Sequence, residues 1–213
     1  MQTVTELAIE RARPGGVVTR EQAAAWAGNR GARLDALLKR AVGRGEIWRI
    51  HRGLYCLADR YTHARVDPLE LAQRIHGPSY VSLESALSHH GWIPEAVRAI
   101  TSVTLGRARS FDTPLGRFTY TRVPQRSFLS GVRRVPTEGG GAFFLATPLK
   151  AMADYVYAQR LDWRGAAPRR DSWRDEEDSL AELTSEAFDE AMAAFGPGRT
   201  TRFLVGLRKD LKR

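Results

Sequence analysis

Val4, Leu7, Ala8 and Ala12 recur at helical spacing, and Pro14-Gly15-Gly16 ends the run, so the pattern predicts a first helix. Thr19 followed by Gln22 has the capping-box form, in which the hydroxyl accepts a backbone N–H and the amide reaches back, and this predicts a second helix from Arg20 to Ala27. Gly28 breaks it. Asn29 then stands where a cap is expected, and Leu34, Leu37, Leu38, Ala41 and Val42 form the apolar stripe of a third helix ending near Gly43 to Gly45. Two strand-like runs follow, EIWRI and LYCL, about a tight His51-Arg52-Gly53 turn, which predicts a hairpin. Three helices and a hairpin within residues 1–62 is the order of a winged helix-turn-helix.

Beyond Asp67 the period changes. Pro68 to His76 and the segment after Ser82 predict short helices, the second capped by Ser82 and ended by Gly91. Alternating runs at Ile100–Leu105, Gly116–Val123, Gly131–Val135 and Ala142–Ala146, separated by proline- and glycine-rich turns, predict a mostly antiparallel sheet. Helices are expected at Pro148–Arg160, Ser179–Phe195 and Thr200–Leu211, and the Arg164–Asp178 stretch reads as a charged surface loop. The chain is therefore expected to be α+β: a winged helix-turn-helix at 1–62, then a larger domain at 67–213 with a mostly antiparallel sheet and flanking helices.

Charge changes this picture. The chain carries 33 basic against 24 acidic residues, a formal +9 at pH 7, which favours a polyanionic partner over an acidic small substrate. Twelve basic and six acidic side chains fall within residues 1–66, so the first part is the denser cation. On a helical wheel Arg33, Arg40 and Arg44 lie within about 40° of one another beside the apolar stripe. Such a helix packs on one side and enters the major groove with the other. Arg30 and Arg33 are the candidates for base edges, with Asn29 able to pair with adenine if it is not a cap. Arg40 and Arg44 are assigned to phosphate, and Arg49, His51 and Arg52, at the hairpin tip, to backbone or minor groove.

Other chemistry finds less support. No apolar run is long enough to span a bilayer and no secretory pattern opens the chain, so a cytoplasmic protein is expected. The single cysteine, Cys56, reads as a small buried strand residue, and neither metal nor cofactor is expected. His89 and His90 with Glu84 lack the His-Glu-x-x-His spacing, and Ser82 or Ser85 with His89 lacks a nucleophile elbow. Asp154, Asp162 and Glu84 with Lys150 are the carboxylates and lysine a nuclease would need, with nothing in their spacing to gather them. A hydrolase fused to a helix-turn-helix, built on Glu84, His89, His90 and Asp154, and a ligand-sensing regulator are the alternatives to a non-enzymatic DNA-binding protein.

Five segments in order carry a resemblance: RGLY after the third helix, YVSLESALSHHGWIPE, ITSVTLGRAR, TPLGRFTYTRVP and ATPLKAMADYVY. Over roughly residues 3–160 the chain resembles the AbiEi-type antitoxins of bacterial abortive-infection toxin–antitoxin systems, and from Leu161 on no counterpart is assigned. That resemblance implies a winged domain that binds inverted repeats in its own promoter and represses the operon. It also implies a C-terminal domain that counters a nucleotidyltransferase-like toxin, functionally or by direct contact. Arg107, Arg109, Arg117, Arg122, Arg133 and Arg134 would then give the second domain a basic face for DNA, for the toxin or for its RNA substrate.

Overall fold

A computed structural model describes residues 2–13, 15–62, 64–93, 98–164 and 183–212. The chain folds into two compact units, Met1–Ile75 with Asp112–Gly116 and Pro136–Phe143, and His76–Phe111 with Arg117–Val135 and Phe144–Arg213. The charged loop expected at Arg164–Asp178 lies outside the described residues except for Arg164.

In the first unit, α1 (Val4–Arg11), α2 (Arg20–Ala27) and α3 (Gly31–Gly43) pack pairwise. Capping boxes open both leading helices: Thr3 with Glu6 on α1, and the expected Thr19 with Gln22 on α2. Each hydroxyl satisfies an amide that the helix itself leaves without a partner. Gly28 ends α2 in the left-handed region at φ 60°, where a side chain would be strained. Asn29 does not cap α3. Its Nδ2 donates instead to the Ala27 carbonyl at 2.7 Å, closing the turn, and Arg30 stands at the cap position without a side-chain bond.

Strands β1 (Val17–Thr19), β2 (Ile47–His51) and β3 (Leu54–Leu57) form an antiparallel sheet in the order β1-β3-β2, with Val18 opposite Tyr55 and Trp48 opposite Cys56. The three-residue β1 is too short to show alternation in sequence. Val4, Ala8, Val18, Ala23, Leu34, Leu38, Ala41, Ile47 and Leu57 make the core, with Trp26 packed against it. Burying a leucine such as Leu34 stabilises by about 1.5–3 kcal/mol relative to exposure. Thr5 donates to Glu46 at 2.6 Å, joining α1 to the residue before β2. Helix α4 (Pro68–Ile75) also falls in this unit.

The second sheet has six strands in the order β6-β7-β5-β4-β9-β8, where β4 is Ser79–Val81, β5 Ala99–Thr104, β6 Arg109–Thr113, β7 Gly116–Arg122, β8 Val132–Pro136 and β9 Ala142–Ala146. It is mixed. β4 runs antiparallel to β5, with Tyr80 opposite Val103, whereas β4 pairs with β9 and β5 with β7 in parallel. These parallel pairings join strands that are not consecutive, which alternation alone does not reveal. Strands β4 and β6 are additions to the sequence reading.

Among the described residues four helices complete this unit: α5 (Leu83–His89), α6 (Pro148–Ala158), α7 (Ser185–Ala193) and α8 (Arg199–Asp210), with α6 packed against the other three. Its core contains a polar knot. Lys150 and Asp154, one turn apart on α6 and both fully buried, form an ion pair at 2.9 Å. Tyr80 and Ser82 donate to Asp154 Oδ2 at 2.8 and 2.7 Å, and Gln125 Nε2 donates to Asp154 Oδ1 at 3.0 Å and to Tyr80 Oη at 2.6 Å. Lys150 Nζ also donates to Tyr80 Oη and lies 4.5 Å from the centre of the Phe195 ring. Burial pulls the lysine pKa down and pushes the tyrosine pKa up. Ser82 therefore does not cap α5 through its side chain; its hydroxyl is spent on Asp154.

Candidate nucleic-acid interface

Helix α3 has three sides. Leu34, Leu38 and Ala41 are buried against the core. Arg33, Arg40 and Arg44 lie on one exposed side, as the wheel predicts. Asp35, Lys39 and Val42 occupy the other flank, and this flank borders the hairpin.

Between that flank and the wing runs an open groove of about 900 Å³, lined by Arg20 from α2, by Asp35, Lys39 and Val42 from α3, and by Arg49 and Arg52 from the wing, among others. Four cations face two carboxylates, Glu21 and Asp35. Asp35 is already engaged, accepting from Arg20 Nε at 3.1 Å and Nη2 at 2.9 Å. Leu38 and Tyr55 form its floor, so the groove has an apolar base and charged walls. Such a surface fits a polyanionic backbone, because low-dielectric walls concentrate the field of the cations.

The expected site residues thus divide. Arg49 and Arg52 come together in the groove. His51 ends β2 at a register shift that begins at Arg49. Arg30 is exposed at the start of α3, ahead of Arg33, Arg40 and Arg44 on the opposite flank. Arg44 also sits 3.8 Å from Glu46, and its carbonyl accepts from Arg60. Arg20 and Lys39 were not anticipated. The signal for Lys39 was present, four residues after Asp35 on one helix flank, but which flank meets the wing depends on how α3 packs.

The second-domain arginines are spread across the sheet. Arg109, Arg117 and Arg122 lie on β6 and β7, at one side of the sheet, and Arg133 and Arg134 on β8 at the other. Four strand spacings, about 19 Å, separate β7 from β8. Arg107 lies in the loop before β6, its carbonyl 3.0 Å from His76 Nε2. Arg133 is committed to Glu190 through both guanidinium nitrogens, which raises the arginine pKa and lowers that of the carboxylate.

The residues weighed for catalysis are scattered or buried. Ser82, Lys150 and Asp154 have no exposure. Ser85 is buried against β5, its hydroxyl donating to the Ala99 carbonyl at 3.3 Å. His90 Nε2 lies 2.9 Å from the Ala146 carbonyl, and His89 meets it edge-on. Asp162 is exposed and pairs with Arg164 and Arg202. Among the described residues no group of three or more His, Cys, Asp and Glu could hold a metal ion, and no helix is long and apolar enough to cross a membrane. Burial and the nearby Asp59 and Glu70 carboxylates push the Cys56 thiol up to about 12.

Helices α1 to α3 with the β1-β3-β2 sheet define the winged helix-turn-helix class. Residues 6–58, from within α1 to just past β3, match the family described as transcriptional regulator, AbiEi antitoxin. The resemblance read from the sequence stands on that match, which covers the winged unit and identifies it as similar to transcriptional-regulator antitoxins. No curated protein matches the chain.

Proposed function

We propose that the protein is a DNA-binding antitoxin that represses its own toxin–antitoxin operon, with residues 1–62 reading operator DNA and residues 67–213 countering a nucleotidyltransferase-like toxin. The groove between α3 and the wing carries this reading: it sets Arg20, Lys39, Arg49 and Arg52 around one channel in the segment that matches the antitoxin regulators. When α3 enters a major groove, the wing reaches the neighbouring backbone, and the channel between them straddles a phosphate strand. Arg30 and Arg33 then address base edges from the start of α3. Arg40, Arg44 and His51 add phosphate contacts. Inverted repeats in the promoter are filled by two copies related by a two-fold axis.

The test is a titration of the full chain against its own upstream duplex and a scrambled duplex of equal length, at two salt concentrations. Specific retention that weakens steeply with salt is the expected result, because each phosphate contact releases counterions. Equal, weak retention of both duplexes would remove the operator assignment. Co-expression with the neighbouring gene tests antitoxicity, and survival must depend on residues 67–213.

A further inference from the structure

A second cleft, of about 590 Å³, lies wholly within the second unit, between the Pro124–Arg126 segment and the start of α8. Its volume suits a small organic ligand. Four observations make it more than a hollow.

First, α8 is a twelve-residue helix whose cap position is Gly198, which has no side chain to bond the first-turn amides. These amides carry the positive end of the helix dipole. Second, the first turn has no acidic residue and instead carries Arg199 and Arg202, both lining the cleft with Arg126. Cations at a helix N-terminus oppose the dipole, a local arrangement that an anion reverses. Arg202 lies 3.4 Å from Asp162 across an exposed contact. Arg126 is exposed and passes close to Gly196, its Nε 3.1 Å from where a Cβ there would sit.

Third, Thr200 lines the cleft in the first turn of α8, is 3% exposed, and has no hydrogen-bond partner for Oγ1. Buried hydroxyls are rarely left so. Fourth, Gln125 lines the same cleft with a buried Oε1 that also has no partner. Its amide orientation is set by the polar knot, because a carboxylate only accepts, so Nε2 must face Asp154 and Oε1 must face away.

We propose that this cleft binds a small phosphate ester of a hydroxylated sugar. The phosphate sits on the first-turn amides and Thr200 of α8, between Arg126 and Arg199, and a sugar hydroxyl donates to Gln125 Oε1. Tyr157 and Phe195 supply the aromatic walls. The moiety occurs both in free sugar phosphates and in nucleotides.

Calorimetric titration of the full chain with inorganic phosphate, ribose 5-phosphate and adenosine 5′-monophosphate tests it. Both esters should bind saturably and at least about tenfold more tightly than phosphate, as one further buried hydrogen bond would give. Tighter binding of the nucleotide than of the sugar phosphate identifies the nucleotide as the source, and equal binding identifies the sugar phosphate. The R126A/R199A double variant should lose about a hundredfold in affinity for either ester. Thr200→Val, which keeps the shape of the buried side chain, should lose about tenfold with its unliganded melting temperature within a few degrees of the parent. Absence of saturable binding, phosphate binding as tightly as the esters, or ester affinity unchanged in both variants would overturn the proposal.

Discussion

The two cores of this chain are built on opposite rules. In the winged unit the core cluster of α1 to α3 and the three-stranded sheet is apolar, the buried Thr5 and Glu70 are bonded to Glu46 and Arg74, and Arg20, Lys39, Arg49 and Arg52 remain at the surface of the groove. In the second unit an ion pair sits in the middle of the packing, with Lys150 and Asp154 at zero exposure and Tyr80, Ser82 and Gln125 bonded to them. An apolar core loses stability with the volume removed from it but leaves no polar group without a partner. In a charged knot each member leaves another unsatisfied when it is removed. Charge at the surface is available for a ligand, and charge in the interior specifies one packing.

That contrast is most directly broken at the knot. Asp154→Ala should destabilise the second unit by about 3–5 kcal/mol in urea unfolding, since it strands a buried ammonium. The paired K150M/D154L variant should recover the part of the loss due to the stranded ammonium, while Tyr80, Ser82 and Gln125 still lack their acceptor. Equal instability of the single and double variants would show that the knot is not a coupled unit. Leu34→Ala in the winged core should cost about 2–5 kcal/mol through cavity and transfer terms alone, with no second substitution that restores it. The Cys56 thiol reports the same core: buried and with its pKa pushed up to about 12, it should be inert to a disulfide reagent at neutral pH and react when the unit opens. Fast labelling of the folded protein would place Cys56 outside the core.

Smaller effects sharpen the comparison. Thr19→Ala should remove about 1 kcal/mol by deleting the α2 cap, read as a lower melting temperature of the winged unit. The smallest effect is a pH dependence. Arg133 holds the Glu190 carboxyl below its ordinary 4.5, so the pair stabilises the fold above that pH and its contribution fades as pH falls through the lowered value. The pair is exposed, 56% and 32%, so about half a kcal/mol is at stake. Glu190→Gln should therefore flatten the acid limb of the stability profile slightly, and an unchanged limb would sink the assignment.

How much of this was legible follows the same division. The three winged helices and the hairpin announce themselves because caps, glycine stops and apolar spacing act locally, and Thr19 with Gln22 does in three dimensions what it promises in sequence. β1 and β4 do not, because three residues carry no period. Asn29 and Ser82 are cap-competent residues diverted to other partners, a backbone carbonyl and a buried carboxylate. The knot left one trace: Lys150 and Asp154 fall four apart on α6, the spacing at which side chains on neighbouring turns meet, whereas their burial follows from the packing of α6. In the candidate interface the wing arginines were readable from their turn. Lys39 and Arg20 were not, since they join the groove only through the packing of α2 and α3 beside the hairpin.

Strand β8 has a further consequence. It is a terminal strand of the six-stranded sheet, its sequence is VRRVP, and its neighbour β9 exposes Phe144. An outermost strand offers unpaired backbone groups to any other chain, and an apolar one would recruit copies of itself into aggregates. Arg134 repels a like-charged edge, Arg133 being paired with Glu190, and Pro136 has no N–H to give to a newcomer. Arg134 and Pro136 thus make this edge a poor template for sheet extension.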